Sequence, residues 1–320
     1  MTMDEIYRLQ NYPFSIVPKA IDVPDLGRGV LPVQRFGQFV REVRETSTII
    51  AEARNLNALQ SYEVDISRIG MTVQLEPGRD ASGNKVAPTE DTVDVSTNTL
   101  QMKELITKIG VEDETIEDNI ERNQFEQTIV SLLGQGVSYD LECYFLHSNT
   151  SRTSGRDLYR INDGWMKLAA EQITEAKADP EADDWPLNLF DAMIDAIPNR
   201  YRQKLPQMKF YVSYNILKDY RDYLKTRETG LGDQAITQGQ NITYEGLQVQ
   251  YVPAMDGLAD GKLRALFTVP TNLVYGFWRN IRVEPKRDPE MRRTDYIVSL
   301  RADCHYEDEE GAVSATIATS

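Results

Sequence analysis

The side chains best suited to chemistry at neutral pH are Cys143, His147, Cys304 and His305, the only cysteines and histidines in the sequence. Cys143 and His147 stand four apart, a spacing that places two side chains on one helix face, so half of a tetrahedral zinc site can be drawn from them. Cys304 and His305 are adjacent within a strand-like stretch. Neighbours on a strand point to opposite faces, so these two cannot both reach one ion, and the sequence predicts no metal, no cofactor and no catalytic residues. Two thiols far apart in the chain read as free, as expected in a reducing compartment.

Other motifs lead no further. GLADGKL, from Gly257 to Leu263, comes nearest to a phosphate-gripping loop, but it has one residue too few between its glycines, and Leu263 stands where magnesium needs a hydroxyl. No GxSxG, HExxH or GxGxxG occurs. The run Glu307, Asp308, Glu309 and Glu310 could hold a divalent cation weakly, though such a run more often forms a solvated turn. Two basic pairs, Lys286 with Arg287 and Arg292 with Arg293, flank Pro285 and Pro289 in a chain of net charge −15. They could pair with an acidic neighbour, such as the carboxylates Glu112, Asp113 and Glu114, or simply keep a turn in water.

That net charge argues against a protein whose work is to grip nucleic acid, because phosphate contacts need a surplus of Lys and Arg. It suits equally a soluble surface and the wall of a container along which a polyanion must slide. With 41% hydrophobic and 27% charged residues, the 320-residue chain can bury a sizeable core. It has no apolar run of membrane-spanning length and no secretion signal near Met1, which predicts a chain that stays in the cytoplasm without a membrane partner.

The elements that must position these groups are outlined by the patterning, and they give an α+β fold class. From Val111 to His147, apolar residues recur at Ile116, Ile120, Phe125, Ile129, Leu132, Leu133, Val137, Leu141, Tyr144 and Phe145, which keeps one stripe on a helix. Glu112, Asp113 and Glu114 would open it, where the helix dipole favours carboxylates. Unbroken, it would measure about 50 Å. Gly134 and Gly136 predict a bend or a close backbone approach. Residues 1 to 36, with Pro13, Pro18, Pro24 and Pro32, read as an extended arm, and Phe36 to Arg44 as a short helix. STIIAEARNL could be a strand or a second short helix. Residues 59 to 99 alternate with a period of two on either side of PGRDASGNK, which predicts a long hairpin. A bare ribbon of that length is marginal in water and predicts support from another subunit. LQMKELITKIGVE reads as a strand returning to the body. Beyond the helix, residues 171 to 185 read as an exposed acidic loop and residues 186 to 198 as a helix. A strand follows at Phe210 to Val212, then a helix from about Asn215 and a flexible loop, GLGDQAITQGQN. ITYEGLQVQYVPAM reads as a strand broken at its glycine, and the remainder as further strands.

This order of elements resembles the major capsid proteins of tailed bacteriophages, the Hong Kong-type capsid fold. The likeness spans nearly the whole chain and rests on GQFVREVRETSTIIAEARN, LQMKELITKIGVEDETIEDN, YDLECYFLHSNTSRTSGRDLYRINDGW, MKFYVSYNILKDYRDYL with ITYEGLQVQYVPAM, and FTVPTNLVYGFWRNIRVEPKRDPEMRRTDYIVSLRADCHY. It implies an arm over 1–36, a peripheral domain over 37–61 and 100–165 with a spine helix at 112–147, and an extended loop over 62–99 lying on a neighbour. It also implies an axial domain over 166–264, whose loop from Thr229 to Asn241 faces a capsomer centre, and a return to the peripheral domain over 265–320. The implied partners are copies of the chain in hexamers and pentamers, a portal, a separate scaffolding protein with no trimming of this chain, decoration proteins in some cases, and enclosed double-stranded DNA. Lys85, Lys286, Arg287, Arg292, Arg293, Glu112, Asp113 and Glu114 become candidate contacts between subunits. Some members cross-link a loop lysine to a neighbour's asparagine. Lys85 matches the lysine, but no Asn lies between Arg282 and Leu300, so no cross-link is expected. Encapsulin compartments, which share the fold, are the alternative, and an acidic cytosolic enzyme is a more distant one.

Overall fold

The computed structural model of the chain describes residues 47–59, 62–71, 79, 85, 93–112, 125–175, 177–182, 184–226, 242–278 and 282–318. The first sheet is built around a strand, β12 (Arg293–Tyr306), about 45 Å long at the usual strand rise. Strand β4 (Lys103–Glu112) runs antiparallel along one edge of it, from Arg293 opposite Glu112 to Ala302 opposite Lys103. Along the other edge, β11 (Arg282–Asp288) and β10 (Leu273–Trp278) lie end to end, β11 facing residues 293–299 and β10 facing residues 302–306. Strand β1 (Arg54–Leu59) adds in parallel to β10, directly after a four-residue helix, α1 (Ile49–Glu52), so both readings of the STIIAEARNL stretch are realised.

The long helix is α2, Phe125–His147, about 35 Å in length. Leu133, Val137, Leu141, Tyr144 and Phe145 are buried in one cluster with Tyr275, Tyr296, Val298 and Leu300 of the sheet. Its expected start at Glu112 is corrected, because Lys103–Glu112 is strand. Leu105 and Val111 are buried within that strand, and the ten-residue ladder to β12 takes up its backbone hydrogen bonds, which outweighs the carboxylates' fitness for a helix start. Asp113 and Glu114 lie outside the described residues, as do the 1–36 arm, the Phe36–Arg44 helix and the Thr229–Asn241 loop.

A second sheet has the order β5 (Glu171–Ile173), β13 (Ala312–Ala318), β9 (Lys262–Thr268), β6 (Lys209–Val212), β8 (Leu247–Tyr251), β7 (Thr243–Tyr244). Three short helices accompany it: α3 (Trp165–Leu168), α4 (Leu187–Ala196) and α5 (Tyr214–Thr226). Phe190 and Met193 of α4 and Ile216 and Tyr220 of α5 share its core, in which Phe210 stacks on Phe267 at 4.2 Å between ring centres. Three expectations change here. The acidic stretch from Glu171 contributes β5, which pairs in parallel with β13. The glycine break after Tyr244 is a hairpin turn, with Glu245 and Gly246 at φ 50° and 83°. Residues 312–318 do not return to the first sheet, for β13 lies between β5 and β9 and buries Val313, Ala315 and Ile317 in the second core.

The third unit is a ribbon of β2 (Glu63–Met71) and β3 (Val93–Gln101), paired from Glu63 opposite Gln101 to Met71 opposite Val93. It joins no other strand among the described residues. Its foot buries Ile66, Leu100 and Met102 with Val274 of the first sheet, while far along it Arg79 and Lys85 form an isolated antiparallel bridge.

Candidate functional site

The four side chains that could have made a zinc site are packing residues. His147 donates from Nε2 to the Ala254 carbonyl at 2.6 Å, and burial, with Arg264 close by, pushes its imidazole down to about 4, so it is neutral at physiological pH. Cys143 and Cys304 are buried thiols, Cys304 lying 3.5 Å from the Phe145 carbonyl, and burial raises both above the ordinary thiol range. His305 stands 3.7 Å from Glu309. Among the described residues, no three metal-ligating side chains converge.

The acidic run after β12 is a partly exposed turn that also acts as a clasp. Glu307 pairs with Arg54 of β1 at 2.8 Å, Asp308 with Arg68 of the ribbon at 2.6 Å, and Glu310 with Arg200 beside the second sheet. Each cation comes from a different unit, so one short turn ties ribbon, first sheet and second sheet together. Glu52 makes a second tie across the fold, accepting from Lys209 Nζ at 2.9 Å and Tyr211 Oη at 2.7 Å. Exposed pairs of this kind contribute little each, and their value here is in fixing orientation.

Two of the basic candidates meet a carboxylate of their own chain. Lys286 stands opposite Asp295 and Arg293 opposite Glu112 in the ladders flanking β12. Asp295 lies 2.6 Å from Lys108 Nζ and 3.3 Å from Arg293 Nε, and the hydrogen bond from Lys108 holds its carboxyl below the usual carboxylate value. The cluster therefore needs no neighbour to neutralise Asp295. Lys286, Arg287 and Arg292 remain exposed on the β11–β12 hairpin, and Lys85 is exposed on the ribbon. Glu112 closes β4 rather than opening the helix.

Besides Asp295, two buried carboxylates escaped the sequence reading. Asp303, mid-strand in β12, accepts from Gln101 N of the ribbon at 2.6 Å, from Cys304 N at 2.7 Å and from Asn162 Nδ2. Burial pushes it up to about 6. Glu142, on α2, accepts from Thr48 N at 2.9 Å and Ile49 N at 2.5 Å, so a side chain from the long helix caps α1. Burial raises its carboxyl as well. A charged residue inside an apolar strand or stripe was the only signal available for either.

Between β4 and α2 runs an open apolar groove of about 500 Å³, with Ile106, Leu132 and Tyr139 standing exposed along it. Ile106 is 66% and Leu132 61% exposed, large values for side chains of this kind gathered in one place.

No family model matches the chain. It is 26% identical over 293 residues to YqbE of Bacillus subtilis (strain 168), a protein named as a prophage capsid protein, covering 88% of this chain and 90% of that one. Among solved structures, a chain of the satellite phage P4 procapsid with its size determination protein aligns over 100% of this chain and 99% of its own, at a TM-score of 0.64 and 17% identity. A chain from Mycobacterium phage Adephagia covers the same shares at a TM-score of 0.59 and 11% identity. One from the capsid of an empty GTA particle matches 91% of this chain and 92% of its own, at a TM-score of 0.55 and 13% identity. Agreement end to end at such low identity lies in the order and placement of elements, not in individual residues, and the arrangement described above is the Hong Kong-type capsid fold.

Proposed function

We propose that the chain is the major subunit of a tailed-phage head, assembling with copies of itself into an icosahedral shell that encloses double-stranded DNA. The observation that carries this reading is the ribbon, nine backbone-paired positions standing on a small apolar foot and joined to no other strand among the described residues. An isolated two-stranded ribbon is marginal in water, so its natural state is one laid against a neighbour. The groove between β4 and α2 supplies a surface that gains by being covered, at roughly 25 cal/mol for each Å² of apolar area removed from water. On this reading Lys286, Arg287 and Arg292 set the register of the contact between subunits rather than its strength. Scaffolding and portal proteins complete the particle, which assembles in the bacterial cytoplasm. The capsid name of the YqbE relative and the full-length likeness to a procapsid chain favour a phage head over a cargo compartment.

Negative-stain electron microscopy of the chain expressed alone, and with a neighbouring scaffold gene, tests the proposal. Closed shells or rings of five and six subunits are expected. A uniform small particle under every condition would sink it.

A further inference from the structure

At the C-terminal end of α2, where the helix meets the second sheet, an open cleft of about 470 Å³ gathers charge of the sign that is in the minority in this chain. Arg152, Lys167, Lys262 and Arg264 line it against one carboxylate, Asp260, in a molecule of net charge −15. Arg264 is buried and already engaged, donating to Asp260 and, at 3.3 Å, to the Lys262 carbonyl. Asp260 is thus spent on Arg264, and Arg152 and Lys167 make no ion pair among the described residues. Both Arg264 and Arg152 act on His147 beside them, helping to keep that ring uncharged.

A second observation points the same way. Ser148, at the end of the helix, is 2% exposed and lines the cleft, yet among the described residues its hydroxyl has no hydrogen-bond partner. Its backbone is fixed at both ends, the amide donating to Tyr144 O at 3.2 Å and the carbonyl accepting from Gly164 N at 2.8 Å. A buried hydroxyl without a partner is rare enough in folded proteins to require a reason. Here an acceptor in the cleft would supply one.

We propose that this cleft is an oxyanion site that takes a phosphate group, with Arg152 and Lys167 neutralising its charge and the Ser148 hydroxyl donating to one of its oxygens. Guanidinium, ammonium and hydroxyl donors lining one cleft match the several acceptor oxygens of a phosphate, and a guanidinium can engage two of them at once. The phosphate could be the free ion or part of a DNA backbone. The site is a property of the folded chain and stands whether or not the shell reading does.

Isothermal titration of inorganic phosphate into the purified chain, at constant ionic strength set with chloride, tests the proposal on the wild type, R152Q, K167Q and S148A. Saturable binding is expected for the wild type, at least tenfold weaker binding for each charge variant and several-fold weaker binding for S148A. S148A replaces an unsatisfied hydroxyl by a methyl and should fold at least as well as the wild type, so its loss of binding cannot be put down to misfolding. Absence of saturable binding, or variants that bind as the wild type does, would overturn the site. Adding a short double-stranded DNA separates the two sources. Duplex binding that phosphate displaces and R152Q weakens makes the backbone phosphate the ligand, whereas phosphate binding that a duplex leaves untouched makes it the free ion.

Discussion

Asp303 and His147 are buried ionisable groups whose pKa values move in opposite directions, and together they set how stability responds to acid. Burial lowers His147 to about 4 from an ordinary 6.5, so the unfolded chain binds its proton more readily, and stability present above pH 6.5 is lost as pH falls toward 4. Burial raises Asp303 to about 6 from 3.8, so here the folded chain holds the proton, and stability rises as pH falls from 6 toward 4. Each shift amounts to about 3 kcal/mol, and over the shared window the two largely cancel. We therefore expect the denaturant midpoint of H147N to climb, relative to the wild type, as pH is lowered from 6.5 to 4.5, because His147 no longer offsets the Asp303 effect. D303N should show the opposite slope. Wild-type pH profiles in both variants would mean that neither group is buried as the geometry requires. Neither residue could be singled out from the sequence for this role. His147 sits at the end of a helical stripe, where a metal ligand and a packing residue look alike, and Asp303 is one acid among many in an acidic chain.

At the level of elements, glycines distinguish a close approach from an open one. A Cβ on Gly164 would lie 2.5 Å from the Phe145 carbonyl and 3.0 Å from Ser148 N, both backbone atoms at the end of α2. G164A must therefore push the Trp165 segment off the helix, and we expect a loss of about 1–3 kcal/mol or more. Gly136, read from the sequence as a bend or a tight contact, has nothing within 4 Å of its added Cβ among the described residues. G136A should stabilise the isolated subunit by up to about 1 kcal/mol through helix propensity. Since Gly136 also lines the groove, the same methyl intrudes on whatever covers it, so G136A should raise the midpoint of chemical unfolding while lowering the yield of assembled particles. A gain in both would argue that the groove is no interface. The misreadings of elements have physical causes of the same local kind. The ribbon and α4 were legible because their side-chain periods persist over nine and ten residues. The stretch after Lys103 was read as a strand, but the carboxylates from Glu112 onward matched a helix start so well that they drew the helix boundary too early. Strand β5 has three residues and is held by its ladder to β13, from more than a hundred residues away, so no local pattern announced it. For the same reason nothing in the final residues indicated which sheet would receive β13.

For the whole molecule, the Asp308 arm of the clasp and the polar bridge through Asp303 hold the ribbon near its base. Arg68 is the outermost β2 residue whose described side chain reaches the body, and the backbone pairs from Ile69 with Val95 to Met71 with Val93 lie beyond it. Stability along the ribbon should therefore be graded. Opening at the foot must expose Ile66, Leu100 and Met102 and break the Asp308 pair, whereas the far pairs are described by backbone pairing between the two strands. In the unassembled chain we expect amide hydrogen exchange to be slow at Val64, Ile66 and Leu100 and fast at Gly70, Met71 and Asp94. If subunits cover one another's ribbons, assembly should slow the far amides by at least a hundredfold, corresponding to about 2.7 kcal/mol, and leave those of the foot nearly unchanged. The contrast between foot and tip separates shell formation from general tightening, because tightening would slow both. Uniform protection in the free chain would mean that the ribbon stands unaided, and fast exchange at the tip within assembled particles would mean that no neighbour supports it there.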